Sequence, residues 1–431
     1  MSGRGHTRTR THAAVSGTRQ TPGTSAASLP LRILRYGRTQ PLLISAIAVL
    51  LALVAISLVI IAVGKNPLQV FHSLLQGSGI VPKPRYAAGK AMITDFLGLL
   101  DAMTPMLFAA LAVAIAFKAG LFNIGVSGQM LCAGFLATII VGYSGLGALM
   151  AKPLVILVGL LVGAALGAFV GVLKARWNIH EVVSTIMLNY IIQYVVSFFI
   201  KSSYIDPVSR SSRAISSDAR LTLMNVPLGD LSTRIPLCFL LAVAVAVLLY
   251  LLLMKTRLGF ELRAVGANRK AAQYSGVKSS RTLVTAMVLS GACAGLAGVT
   301  YYLGYFNTIE PGNLTSVGFD SIAVALLGNS NPVACILSSL LVSVLTFGST
   351  YMSSAAGISE YIASLIVGIV LLFCACSGFL QYLINRDRSR GRTLHNVAEG
   401  EGRDDGEGEG DGEAPEAGEG DGKTPEAGEA S

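Results

Sequence analysis

Leu42-Leu43-Ile44-Ser45-Ala46-Ile47-Ala48-Val49-Leu50-Leu51-Ala52-Leu53-Val54-Ala55-Ile56-Ser57-Leu58-Val59-Ile60-Ile61-Ala62-Val63 is a run of 22 residues without a charge. As an α-helix rising 1.5 Å per residue it spans roughly 33 Å, enough to cross the hydrocarbon core of a bilayer. It is too long, and begins too late, for a cleaved signal peptide. Further apolar segments follow near 94–117, 121–143, 153–173, 182–200, 236–254, 282–304, 316–329, 332–351 and 358–380, giving ten in all. Two are weak. The 121–143 segment opens on a polar run, and 316–329 is short and contains Asp320, so both read as broken or re-entrant pieces. The expected fold is all-α: a polytopic membrane helical bundle of about ten transmembrane or re-entrant segments.

Composition agrees. Of 431 residues, 52% are hydrophobic and only 13% charged, about half the charge of an ordinary soluble chain. That excludes a large soluble domain, a disordered chain and a disulfide scaffold. The net charge of +9 hides an asymmetry. Residues 399–431 carry 13 acids against Arg403 and Lys423, a balance of −11, whereas the first 398 residues carry 31 bases and 11 acids, a balance of +20. Basic excess beside apolar spans suits cationic cytoplasmic loops. No nucleic-acid motif accompanies it.

Three regions follow: a flexible basic cytoplasmic tail over 1–40, a transmembrane domain over 41–385, and a mostly disordered acidic cytoplasmic tail over 386–431. In the last, Glu409-Gly410-Asp411-Gly412-Glu413-Ala414-Pro415-Glu416-Ala417-Gly418 repeats from Glu419 to Gly428 with Lys423 and Thr424 as the two changes. Acids, Gly and Pro without apolar residues bury no core. With the N-terminus inside, the inner segments hold 21 Lys and Arg against 10 in the outer ones. That favours N-in and C-in, although the outer loop 201–235 holds five of the ten.

Gly159, Gly163, Gly167 and Gly171 recur every fourth residue, and Gly291 and Gly295 repeat the device. Such stripes let another helix approach closely; packing within the chain is the preferred reading, a seam between subunits the sharper one. The run Phe122 to Gln129 suits no lipid face, because Gly125 and Gly128 weaken a helix and Asn123 and Gln129 need partners in hydrocarbon. It is either buried in protein or lines a cavity. Thr185, Asn189 and Gln193 form a polar stripe that should face the bundle or a pathway. Glu181 suits the positive end of its helix. Asp320 is an acid at membrane depth, where function is the default, but capping of the following short helix is preferred. Glu310 and Glu360 lie near outer ends. The loop 255–281 predicts a short helix with Asn268 as N-cap and Gly276 at C′, presenting Ala271, Ala272 and Tyr274. It is either a docking helix for a cytoplasmic partner or an ordinary positive-inside loop.

Several chemistries find no residues. There is no Gly-x-x-x-x-Gly-Lys-Ser/Thr loop, no HExxH and no CxxC. Cys374 and Cys376 point to different sides of a helix, and all six Cys read as packing residues. No His pair has metal spacing and no nucleophile stands beside a base, so neither catalysis nor a cofactor is expected.

Gly120-Leu121-Phe122-Asn123-Ile124-Gly125-Val126-Ser127-Gly128-Gln129 resembles a signature of permease subunits of nucleoside-type ABC importers. So do Glu181-Val182-Val183-Ser184-Thr185-Ile186-Met187-Leu188-Asn189-Tyr190 and Gly318-Phe319-Asp320-Ser321-Ile322-Ala323-Val324-Ala325-Leu326-Leu327-Gly328. Arg263-Ala264-Val265-Gly266 and Leu289-Ser290-Gly291-Ala292 add to the likeness, which covers roughly residues 40–385. The broader family includes ribose and branched-chain amino-acid permeases. Ser127 departs from the pattern, standing where the family carries Glu, and the acidic tail lies outside it.

The resemblance implies a second homologous permease, a cytoplasmic ABC ATPase subunit docked on the 255–281 loop, and an extracellular lipid-anchored substrate-binding protein, all around a bacterial plasma membrane. ATP binding on the separate ATPase would drive alternating access. A nucleoside needs hydrogen-bonding groups and a flat apolar wall. Asn123, Gln129, Thr185 and Asn189 are the candidates for the first and Phe122, with Tyr190, for the second. Arg263, Asn268, Ala271 and Tyr274 are the candidate ATPase contacts. A simple-sugar permease of the same kind is the alternative. An ion-coupled secondary transporter would need placed acids or His and an inverted repeat; a membrane scaffold would not need the polar run.

Overall fold

A computed structural model describes residues 40–83, 90–228, 231–359, 361–362, 364–373 and 375–376. The acidic tail, Glu360, Cys374, the end of the 358–380 segment and all of the basic tail but Gln40 lie outside the described residues. Helix α1 (Gln40–Ala62) is followed by α2 (Pro67–Gly77), and the two meet at 115°. The bend has local causes. Gly64 takes a φ of +78°, Pro67 sits at the start of α2, and Asn66 Oδ1 accepts from Leu68 N at 3.0 Å as its N-cap.

Helix α3 (Lys90–Lys118) is the axis of the bundle. Its span is 89% buried, as a helix apolar on every side should be. Phe108, Leu111 and Ile115 are wholly enclosed, against Val126, Met130, Ala246, Ala294, Val324 and Val342 of surrounding elements. Around it stand α4 (Val126–Ala137, continued by a π-helical turn Thr138–Gly142), α5 (Ala148–Trp177), α6 (Glu181–Phe199, with a π turn Ile200–Tyr204) and α7 (Leu237–Lys255). Then come α8 (Arg257–Ala267), α9 (Arg269–Tyr274), α10 (Ser279–Thr300, with a π turn Tyr301–Tyr305), α11 (Val317–Leu327) and α12 (Pro332–Ala356), and α13 (Ser364–Phe373).

Among the described residues, six helices are long and apolar enough to cross a membrane: α3, α5, α6, α7, α10 and α12. The other expected segments take different forms. The first is the bent α1–α2 pair, while 126–142, 317–327 and 364–373 are short apolar helices. At 1.5 Å per residue, the 11-residue α11 reaches only about 16 Å, half a hydrocarbon core.

The two glycine stripes pack on each other. A methyl group built on Gly163 would sit 2.7 Å from Gly295 Cα and closer still to the carbonyl of Gly291. Gly159 meets Val299 and the carbonyl of Gly295, and Gly167 meets that of Met287. The α5–α10 crossing thus occupies this stripe within one chain, which leaves the stripe unavailable as a seam between subunits.

Among the described residues, a hairpin departs from an all-helical fold. Residues Thr222–Leu228 (β1) and Leu231–Pro236 (β2) form an antiparallel hairpin, with a register shift between Leu223 and Val226. The sequence signal was weak: Thr222 and Val226 on one side and Thr233 and Ile235 on the other flank a Gly-Asp pair. The hairpin is fastened to α3 by Thr222 Oγ1, which donates to Asp101 Oδ1 at 2.7 Å. Both residues are buried, and Asp101 Oδ2 has no other hydrogen-bond partner. Thr222→Val is therefore expected to cost about 1–3 kcal/mol, the penalty of a buried polar group left unsatisfied. Thermal unfolding in detergent reads the loss, together with faster proteolysis of the hairpin.

Candidate functional site

The polar run becomes a buried lock. Gly120 takes a φ of +71° as the chain leaves α3, and α4 starts at Val126 without a side-chain cap of its own. The orphan donors of its first turn are met from elsewhere. Asn189, on α6, accepts from Gly128 N at 2.9 Å through Oδ1 and donates to Ile124 O at 3.0 Å through Nδ2. A side chain 61 residues away thus caps α4 in trans. Asn123 Oδ1 accepts from Gly125 N at 3.0 Å, and its Nδ2 donates to Gln129 Oε1 at 3.1 Å and Ser290 Oγ at 2.9 Å. Ser290 Oγ donates in turn to Ala112 O at 2.7 Å on α3. Ser127, at the departure from the family pattern, donates to Thr315 O at 2.9 Å.

The structure therefore brings Asn123, Gln129 and Asn189 together in one enclosed hydrogen-bonded network. Their relative exposures are 1%, 0% and 3%. Thr185 is equally enclosed, and its hydroxyl donates to Glu181 O within its own helix at 2.8 Å. Phe122 is half-buried against Phe117, with ring centroids 5.1 Å apart. None of these five residues lines either cavity described below. The physical reason is economy of hydrogen bonds: a backbone turn at this depth consumes the side-chain groups that a substrate would otherwise use. Only Gln129 Nε2 keeps an unpartnered donor in the lock. Gln193 and Ser197 extend the α6 stripe to the loop before α11, through Gln193 Nε2 donating to Gly312 O at 2.7 Å and Ser197 Oγ accepting from Gly312 N at 2.7 Å.

An open cleft lies at the end of the bundle opposite the basic 255–281 loop. A cleft of about 530 Å³ runs between α3, the π turn ending α10, the start of α11 and the last turns of α12. Its walls carry Tyr301, Tyr305, Phe306, Phe347 and Tyr351, and its hydroxyls come from Ser316, Thr346, Thr350 and Ser354. Lys83, Asp95 and Asp320 are its charged lining. A second cavity of about 230 Å³ shares Tyr301 and Phe306 and adds Thr308, Glu310, Asn313 and Thr315. The volume of the first, its aromatic walls and its few polar groups match small-molecule sites, which run to about 300–1,000 Å³. The legible signal was Tyr301-Tyr302-Leu303-Gly304-Tyr305-Phe306, an aromatic cluster closing an apolar span.

Asp320 does not cap. It lies in the first turn of α11 but inside the helix; Ser316 is the N-cap residue and makes no side-chain cap bond. The carboxylate lines the cleft with Ser316 as its side-chain hydrogen-bond partner.

The basic loop folds as its sequence indicates. Asn268 Oδ1 accepts from Ala271 N at 3.1 Å as the N-cap of α9, and Gly276 takes a φ of +84° just past its end. Tyr274 is 93% exposed and Ala271 is exposed, whereas Ala272 is buried. Arg263 is half-buried, with Nε donating to Gly259 O at 3.3 Å. The loop is anchored where Gly266 packs against the carbonyl of Lys118 at the end of α3.

Comparison with known proteins gives a consistent family. The family described as branched-chain amino acid transport system / permease component matches residues 96–375. The guanosine ABC transporter permease protein NupP of Bacillus subtilis is 33% identical over 82% of this chain and 99% of its own length. The nucleoside ABC transporter permease protein NupB of Lactococcus lactis is 32% identical over 82% and 95%. A glucose ABC transporter permease protein of Haloferax volcanii is 30% identical over 67% and 79%. No solved structure matches the chain.

Proposed function

The chain belongs to the family of permease components of branched-chain amino acid transport systems, and from that premise we propose that it passes nucleosides across the membrane for an ABC importer. It is a multi-pass membrane protein and a transport subunit. Family membership sets aside the ion-coupled and scaffold readings. Two relatives that align along almost their whole length carry guanosine or nucleoside in their names.

The observation that carries the reading is the cleft. A flat, polar, neutral solute finds aromatic faces in Tyr301, Phe306 and Phe347 and hydroxyls in Ser316, Thr346 and Thr350. The proposed path starts in this cleft, with the Asn123, Gln129, Thr185 and Asn189 region as the rigid joint beside it rather than as its lining. The chain sits N-in and C-in, with short segments completing the ten, so that α9 faces the cytoplasm and the cleft faces outward.

The family implies a separate ABC ATPase and a substrate-binding protein. A second homologous permease and a lipid anchor on the binding protein complete the proposed assembly. Arg263, Asn268, Ala271 and Tyr274 form the ATPase contact, with the exposed Tyr274 ring as its anchor. Replacing Arg263 and Tyr274 by Ala is expected to lower substrate-stimulated ATPase activity about tenfold while leaving the size-exclusion profile unchanged. Full stimulation in that variant would remove the docking assignment.

The function is tested by gentle purification from the native membrane, identification of what accompanies the chain, and uptake in reconstituted vesicles. Recovery of an ATPase together with ATP-dependent uptake of guanosine or adenosine is expected. Uptake of glucose or ribose but of no nucleoside would overturn the substrate and favour the sugar reading, for which the Haloferax relative stands.

A further inference from the structure

The charges of the cleft do not cancel. Lys83 Nζ lies 2.6 Å from Asp95 Oδ2 and 4.4 Å from the centre of the Tyr351 ring. That pair ties the segment after α2 to α3 and α12 and neutralises itself. Asp320 has no such counterpart: among the described residues no Lys or Arg forms an ion pair with it, and Ser316 alone bonds its side chain. The adjoining cavity repeats the pattern. Glu310 Oε2 accepts from Asn313 Nδ2 at 3.0 Å, and no cation lines that cavity. Tyr301 lines both cavities, beside Asp320 in one and Glu310 in the other, and its ring lies 5.0 Å from that of Phe306. An aromatic pair therefore stands among two acids, and Lys83, paired to Asp95, is the one base among the residues that line the two cavities.

A partly enclosed carboxylate without a cation is stabilised by whatever donors reach it. Its field in a cleft with low-dielectric walls is several times stronger than in bulk water. We propose that Asp320 is the charge-selecting residue of the path, accepting hydrogen bonds from the N–H or O–H groups of a nucleoside and repelling phosphorylated ones. The permease then ranks a cationic nucleoside above a neutral one, and a neutral one above its 5′-monophosphate. This rests on the cleft being the nucleoside path. Specificity is built as much by the repelled charge as by the accepted donors.

The test is saturation-transfer NMR on the purified transporter without its binding protein, because binding in a path is weak and must be read directly. The probes are adenosine, 1-methyladenosine (cationic at neutral pH) and adenosine 5′-monophosphate. The ATPase subunits are common to wild type and variant, so the difference between the two reports the permease. Wild type is expected to bind 1-methyladenosine about fivefold more tightly than adenosine. In Asp320→Asn the two should come within about twofold of each other, and the monophosphate signal should rise. Should Asp320→Asn fail to assemble, Asp320→Ser carries the same comparison. An unchanged preference in a variant that still binds both nucleosides overturns the role of Asp320 and leaves the path in place. Nucleoside signals unaffected by combined Tyr301→Ala and Phe306→Ala substitution would instead overturn the path itself.

Discussion

Gly163→Leu is expected to abolish the folded chain. The residue faces a helix whose nearest atoms are backbone: the carbonyl of Gly291, and Cα and N of Gly295, each of the latter 2.7 Å from where a Cβ would stand. Backbone on both sides cannot rotate out of the way as a side chain could. Overpacking ordinarily costs about 1–3 kcal/mol. Here α5 and α10 must separate along the whole crossing, so about 4 kcal/mol or more is expected, in the exceptional range for one substitution. Size-exclusion chromatography in detergent should show loss of the monodisperse peak. Gly171→Ala is the matched control at the end of the same stripe, where the nearest atoms are Val284 Cα at 3.0 Å and Met287 Cβ at 3.1 Å. It should cost about 1–3 kcal/mol, the ordinary overpacking penalty. Equal melting temperatures for Gly163→Leu and wild type would contradict the crossing.

Asn189→Leu should be the next most damaging change. It keeps the volume but leaves Gly128 N–H and Ile124 C=O without partners in a site closed to water. Each buried orphan costs about 1–3 kcal/mol, giving about 2–6 kcal/mol together. The loss should be local before it is global. Hydrogen exchange should accelerate over 122–129 at temperatures where the α5–α10 crossing remains protected. Tyr190→Phe, one residue on and 54% exposed, should change neither exchange nor melting. Exchange in 122–129 unaltered by Asn189→Leu would show that the trans cap does not hold the turn.

These two sites mark how far the sequence could be read. The Gly159–Gly171 and Gly291–Gly295 stripes were legible because a four-residue period projects small residues onto one helix face whatever the partner. The tertiary structure supplied the partner, each other. The α9 cap was legible in detail, since Asn268, Ala271 and Gly276 act within one loop. The aromatic cluster Tyr301–Phe306 was visible as letters but carried no sign of facing a cavity. Asp320 read as a cap because a first-turn acid usually is one. Its place in the cleft depends on α3 and α12, which bring Ala102 and Phe347 to the same wall from more than 200 residues apart.

By itself, then, the sequence determined the membrane bundle, its apolar spans, its basic loop and its close-packing faces. All of these follow from hydropathy, period and local hydrogen bonding. The tertiary structure alone decided which polar groups are enclosed by the protein and which line an open cleft. Asn123, Gln129 and Asn189 satisfy a buried non-helical turn, while Asp320, Thr346, Thr350 and Ser354 line open volume. That division is set by what lies within about 3 Å of each donor and acceptor, and no spacing along a single chain records it.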